Sequence, residues 1–243
     1  MTDKLLVFDI WGDYGYFRQG FTSTSTITYP FPSRTSITGL ISAILGLEKD
    51  SYHDIFNEEN SKIGLRILNP IKKMNINLNY INTKGNKFLL SDISENPRVQ
   101  VQAEFLKDVK YRIYISLKDT QLLNELFELI KNHKSVYTPC LGISECIADF
   151  SLAYDDLLDL NKMTGENIDI NSVILKDNYK LVIEPNKKYG ITKSPGFMNS
   201  ERVVSKFLEF YYEENGNTIQ IESGEYYSVG DENVILYWIN VSS

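Results

Sequence analysis

Two histidines, His53 and His133, are the side chains of this sequence that ordinarily exchange a proton near neutral pH. Each lies in a helix-like, charged stretch, and neither has a set of catalytic partners around it. No P-loop, GxSxG, HExxH or GxGxxG run is present. Asp155, Asp156 and Asp159 make an acidic cluster without further ligands, which reads as the solvated start of a helix. Cys140 and Cys146 lack the spacing and the second pair of a zinc site, and Cys140-Leu141-Gly142 after Pro139 reads as a packed turn. The expectation is therefore no catalytic residue, no metal and no cofactor.

The chain is better supplied for binding. Tyr14, Tyr16, Phe17, Arg18, Gln19, Tyr29 and Phe31 gather rings and one cation around glycine breaks. Such a group can stack unpaired bases and pair a phosphate, and the same rings serve equally well as core. Ser33-Arg34-Thr35-Ser36 places hydroxyls and a guanidinium at the start of a helical pattern, where free backbone N–H groups favour an anion.

Charge distribution points the same way. The 243 residues carry a net charge of −7, which by itself argues against a nucleic-acid binder. Yet Lys62 to Lys118 holds eleven basic and four acidic residues, a local charge of +7 that leaves −14 for the remainder. One basic stretch in an acidic chain suits a local polyanion contact, with acidic surfaces left for protein partners. Arg98, Gln100, Lys107, Lys110 and Arg112 are its candidate ligands, joined by Arg18, Gln19, Ser33, Arg34 and Thr35 upstream.

These residues need elements to hold them. Leu5–Trp11 has the apolar character of a central strand, broken at Gly12. Ile37, Leu40, Ile41, Ile44 and Leu45 fall on one helical face, with Ser33 as N-cap and Gly46 as stop. A short helical stretch follows at Tyr52–Phe56, then a strand at Ile63–Leu68. The polar segment of about 69–96 reads as an inserted loop or long hairpin arm. Val99–Phe105 and Tyr111–Leu117 alternate and read as two antiparallel strands turning at Lys107–Lys110. Asp119 caps a helix reaching about Asn132, a strand covers Ser144–Phe150, and a helical stretch lies near Arg202–Tyr212. The order strand, helix, strand, strand, helix, strand predicts an α+β, ferredoxin-like (RRM-like) core over residues 1–150. A strand-rich C-terminal region of 151–243 follows. No apolar run reaches membrane-spanning length, and the start does not look like a signal peptide. The expectation is a soluble cytoplasmic protein.

Phe8-Asp9-Ile10-Trp11-Gly12, Phe17-Arg18, and the run from Tyr29-Pro30-Phe31-Pro32-Ser33-Arg34 to Leu45-Gly46 resemble the amino-terminal signature of the Cas-five family, CRISPR-associated subunits of type I Cascade complexes. Pro97–Asp108, Tyr137–Glu145 and, less specifically, Pro195-Gly196-Phe197-Met198 with Arg202 add to the match, which is most similar to the type I-B branch. The resemblance implies a β-hairpin thumb at about 69–111 and a role in capping the repeat-derived 5′ handle of the CRISPR RNA. It implies a Cas-seven backbone subunit and a Cas-eight large subunit as partners, target DNA being met only through the complex. One branch of the family cleaves precursor RNA with Tyr, Lys and His; neither histidine here stands in a similar segment. A non-catalytic RNA-binding subunit is the first expectation, and a metal-independent endoribonuclease the alternative.

Overall fold

The computed structural model describes residues 3–20, 26–81 and 98–237. Its first half runs β1 (Lys4–Gly15), α1 (Arg34–Leu45), β2 (Ser61–Ile67), β3 (Lys72–Ile81), β4 (Arg98–Leu117), α2 (Thr120–Lys131) and β5 (Asp149–Leu152). The main sheet has the order β2-β4-β1-β5, with every neighbouring pair antiparallel. Leu6, Phe8 and Ile10 point from the central strand into one core, and Leu5 and Val7 into another on the opposite face. β1 is thus buried on both sides, which is why its sequence is almost continuously apolar.

Both helices pack on the first face. Ser33 caps α1, accepting from the Ser36 N–H, and Gly46 closes it in the left-handed conformation, φ 76°. Asp119 caps α2 by accepting from the N–H groups of Gln121 and Leu122. Twelve-residue helices are marginal in isolation. Burial of Ile37, Ile41 and Ile44 on one, and Leu123, Leu126 and Ile130 on the other, is what holds them.

The remaining elements are β-strands, apart from one 3-10 turn at Lys176–Asn178. β6 (Leu158–Asp159) pairs with the start of β1. β7 (Asn161–Ile170), β8 (Ile174–Leu175), β9 (Leu181–Val182), β10 (Tyr189–Met198), β11 (Val204–Glu213), β12 (Ile219–Val229) and β13 (Glu232–Val234) then form two further sheets. One, of order β10-β11-β8, sends Leu208, Phe210 and Phe197 into the same core as the helices. The other, β13-β12-β7 with β9 on β12, brings Val229 and Val234, followed by Leu236, over Leu5, Val7 and Tyr114. Tyr237 ties the two regions together, its N–H donating to the Ile63 carbonyl at 2.6 Å.

Several expected boundaries move. β1 does not break at Gly12: a Cβ there would lie 2.8 Å from the Ile147 carbonyl, so glycine marks a close approach. The expected turn at Lys107–Lys110 is absent, and Arg98–Leu117 is one strand. The polar residues that looked like a turn lie where the strand's partner changes from β2 to β3, with Asp108 at φ 53°. Tyr52–Phe56 forms turns, and the stretch near Arg202–Tyr212 is strand from Val204 onward, because Leu208 and Phe210 are buried at period two. The strand expected over Ser144–Phe150 starts only at Asp149, and Asp155–Asp159 holds no helix.

Gly142 sits at φ 102°, and a Cβ on it would lie 1.9 Å from the Tyr16 carbonyl oxygen. The adjacent Leu141 carbonyl accepts from the Tyr16 N–H, so this turn fixes the exit of β1. Gly142→Ala should cost about 2 kcal/mol or more, a fall of several degrees in melting temperature. Gly20→Ala, with no described residue within 4 Å of the added Cβ, should melt like the parent.

Candidate nucleic-acid interface

Three charged side chains share one row of the main sheet: Arg66 on β2, Arg112 on β4 and Asp9 on β1. Arg112 donates from Nε to Asp9 Oδ1 at 2.7 Å and from Nη1 to Glu232 Oε1 at 2.9 Å. Glu232, 3% exposed on β13, also accepts from Arg66 and from the Tyr114 hydroxyl. The hydrogen bond to Asp9 is the main reason the Arg112 guanidinium holds its proton more tightly than a free arginine. Burial together with the Glu232 charge pushes the Tyr114 phenol well above its ordinary value. Arg112, expected to contact phosphate, is instead committed to this internal network.

Beyond that row the sheet is open. Lys110 lies opposite Trp11, with its ammonium 5.5 Å from the ring centre and 3.9 Å from Asp9. Further out, β3 and β4 form an arm in register from Lys72 opposite Lys107 to Ile81 opposite Arg98. Met74, Ile76 and Leu78 pack against the core, alongside buried Ala103 and Phe105, and anchor one face of the arm. The other face exposes Asn75, Asn77 and Asn79 with Gln100 and Gln102. Each amide offers both a donor and an acceptor.

The cations along this arm are available. Lys72 pairs with Asp108 at 3.3 Å and Lys73 with Glu104 at 3.0 Å, exposed contacts that each contribute no more than about 1 kcal/mol. Arg98 and Lys107 make no ion pair among the described residues. The loop after β1 joins the arm: Arg18 bridges Thr28, Gln19 donates to the Thr28 carbonyl at 3.3 Å, and Thr26 bridges Ala103. The fold therefore places Arg98, Gln100, Lys107 and Lys110 along one strand, with Arg18 and Gln19 on the adjoining loop, where Gln19 also faces Ile191 and Phe207.

Ser33, Arg34 and Thr35 stand elsewhere. Ser33 is the α1 cap. Arg34 is 2% exposed, donating to the Phe56 carbonyl and to Ser61 Oγ at 2.6 Å, with its guanidinium 4.0 Å above the Phe197 ring. Burial works against its charge, and Glu58 partly offsets that. Arg34 thus fastens α1 to β2, where the sequence pattern pointed to an anion ligand. Of the clustered rings, Tyr16, Phe17, Tyr29 and Phe31 are core, with Tyr16 stacked on Phe105 at 4.8 Å, while Tyr14 is exposed. His53 lies beside Asp50 under α1. His133, just past α2, meets the Phe150 carbonyl at 3.0 Å and Asp149 at 3.2 Å. Neither is on the arm. Leu89 and Leu90, the apolar pair within the polar segment of about 69–96, fall outside the described residues.

The family model described as CRISPR-associated protein (Cas_Cas5) matches residues 5–184. The chain belongs to the Cas-five family. A CRISPR protein from Archaeoglobus fulgidus has a similar crystal structure, with 14% identity, a TM-score of 0.58, and coverage of 97% of this chain and 100% of that one. A chain of a structure titled "CRISPR RNA-guided surveillance complex" is similar at 10% identity and a TM-score of 0.50, covering 95% and 90% respectively. No curated protein matches the sequence.

Sequence reading of this Cas-five chain missed Trp11, Lys72, Lys73 and the Asn75-Asn77-Asn79 row. The signal was there: Met74, Ile76 and Leu78 alternate with the three asparagines, which marks a strand with one buried face. Nothing local pointed to Glu232. Because Arg112→Ala would leave half-buried Asp9 without its hydrogen-bonded cation and Glu232 with Arg66 alone, it should lower stability by about 3 kcal/mol. Lys107→Ala should change it by less than about 0.5 kcal/mol, both read by denaturant titration.

Proposed function

We propose that this Cas-five chain is a non-catalytic RNA-binding subunit of a Cascade-type CRISPR ribonucleoprotein complex, of the type I-B kind. In this reading residues 4–152 form a ferredoxin-like core, and the β3–β4 arm is the thumb that lies across the repeat-derived 5′ handle. The observation that carries it is the arm itself: a core-anchored strand pair whose free face is amide-rich and whose exposed cations stand within an acidic chain. The sheet order β2-β4-β1-β5 with helices inserted after β1 and β4 supports the core assignment. Cas-seven and Cas-eight subunits would meet the acidic remainder, and the complex would work in the cytoplasm.

Chemistry favours binding over cleavage. Metal-independent cutting needs a base for the 2′-hydroxyl and an acid for the leaving oxygen. The two histidines lie off the arm, one beneath α1 and one past α2.

Single-stranded RNA carrying the repeat-derived 5′ end should bind with a salt slope of about 0.7 log units per phosphate contacted. Replacing Arg98 and Lys107 together by Ala should flatten the slope by about two phosphate equivalents and leave the fold intact. A salt-independent titration, or equal affinity for unrelated duplex DNA, contradicts the reading.

Repeat RNA incubated with the purified chain in EDTA should stay intact. Specific cleavage that is lost in His53→Ala or His133→Ala would establish the endoribonuclease alternative.

A further inference from the structure

Strand β11 has an edge that the fold leaves open. β8 pairs with it only at Phe210 and Tyr211, then stops at Leu175, where the chain turns aside through Lys176–Asn178. Lys206, Phe207, Leu208 and Glu209, the neighbouring residues of β11, pair with β10 alone among the described residues, and no other main-chain bond reaches them there. An unpaired strand edge invites another strand, and proteins commonly blunt such edges with proline. The sheet's other edge, β10, carries Pro195, whereas these four residues include no proline.

The open edge forms one wall of a cleft of about 380 Å³, and all four residues line it. Successive side chains of a strand point to opposite faces, so a cavity that touches four in a row meets the strand at its main-chain edge. The facing wall is of another kind. Glu225 and Tyr227 on β12, with Lys162 opposite Tyr227 on β7, share one sheet face, whose other end buries Ile219 and Ile221. An edge that looks onto a sheet face leaves the space that one added strand fills.

Charge selects the occupant. Lys162 pairs with Glu225 at 2.7 Å, Lys176 with Glu209 at 3.1 Å, and Lys206 turns to Glu58 at 4.0 Å. Asp177 lines the cleft with no ion pair of its own among the described residues. Three carboxylates in the lining oppose a phosphate backbone, and a phosphodiester chain cannot continue a main-chain ladder.

We propose that this cleft takes up an extended segment of a partner protein, added antiparallel to β11 in line with β8 and carrying one lysine or arginine toward Asp177. Main-chain hydrogen bonds give the affinity and the cation gives the selectivity. The site lies off the β3–β4 arm and does not rest on the RNA reading above.

The probe is a capped hexapeptide that alternates valine with threonine and carries one central lysine, titrated into the full chain. It should bind one-to-one and slow amide hydrogen exchange within Lys206–Glu209 at least tenfold, leaving the free edge of β7 unchanged. N-methylation of every second peptide amide gives two isomers; one should bind at least tenfold more weakly, the other within about threefold. Replacing the peptide's lysine by glutamate, or Asp177→Lys in the chain, should each weaken binding about fivefold, and the two together should restore it. Binding indifferent to both N-methyl patterns, or protection on β7 or β10 instead, overturns the proposal. So does slowed exchange at Lys206–Glu209 from single-stranded RNA with none from the peptide, which assigns the cleft to nucleic acid. Protection that grows with protein concentration alone assigns it to a second copy of this chain and contradicts the proposal, as does no peptide binding at millimolar concentration.

Discussion

Glu232 is the residue on which the arrangement of this molecule turns. It comes from β13, near the end of the described chain, and reaches across to Arg66, Arg112 and Tyr114 on two strands laid down far earlier. Asp9 completes the row from the central strand. Two guanidiniums side by side on a sheet would repel; the two carboxylates balance them, and burial makes any unbalanced charge costly. Such a network specifies one docking position for the C-terminal hairpin over Leu5, Val7 and Tyr114.

That docking also sets a limit. The second face of the sheet is covered up to the charged row and open beyond it, from Lys110 and Trp11 outward. Strand β4 passes through both regimes: held between β1 and β2 at one end, and along its outer half paired with β3, with Thr26 bridging its other edge at Ala103. The rigid half holds the outer half in place, and the apolar face of the arm rests on the core. An arm supported in this way presents its amides and cations with little ordering left to be paid on binding.

Much of this was legible in the sequence wherever the cause is local. Caps, helix faces and the double-sided burial of β1 follow from neighbouring residues, and Ser33, Gly46 and Asp119 act as their types dictate. Polarity resembles a turn at Lys107-Asp108-Val109-Lys110, but the strand continues there with Val109 still buried, and only its partner changes from β2 to β3. Arg34 and Arg112 depart from the expected phosphate contact for another reason. A charged side chain in the sequence carries no mark of whether a partner waits for it, and the partners here, Ser61 and Glu232, are 27 and 120 residues away. The family signature compensated for this at the level of fold and not at the level of single residues.

The central claim is that RNA lies along the outer half of β4 and its partner β3, on the far side of the charged row. Ultraviolet cross-linking of bound single-stranded RNA, followed by peptide mass spectrometry, tests it most directly. The account predicts cross-links within 72–81 and 98–110, with Trp11 and Tyr80 as the aromatic sites. Cross-links concentrated instead on the outer surfaces of α1 and α2, or on β10 and β11, would contradict it.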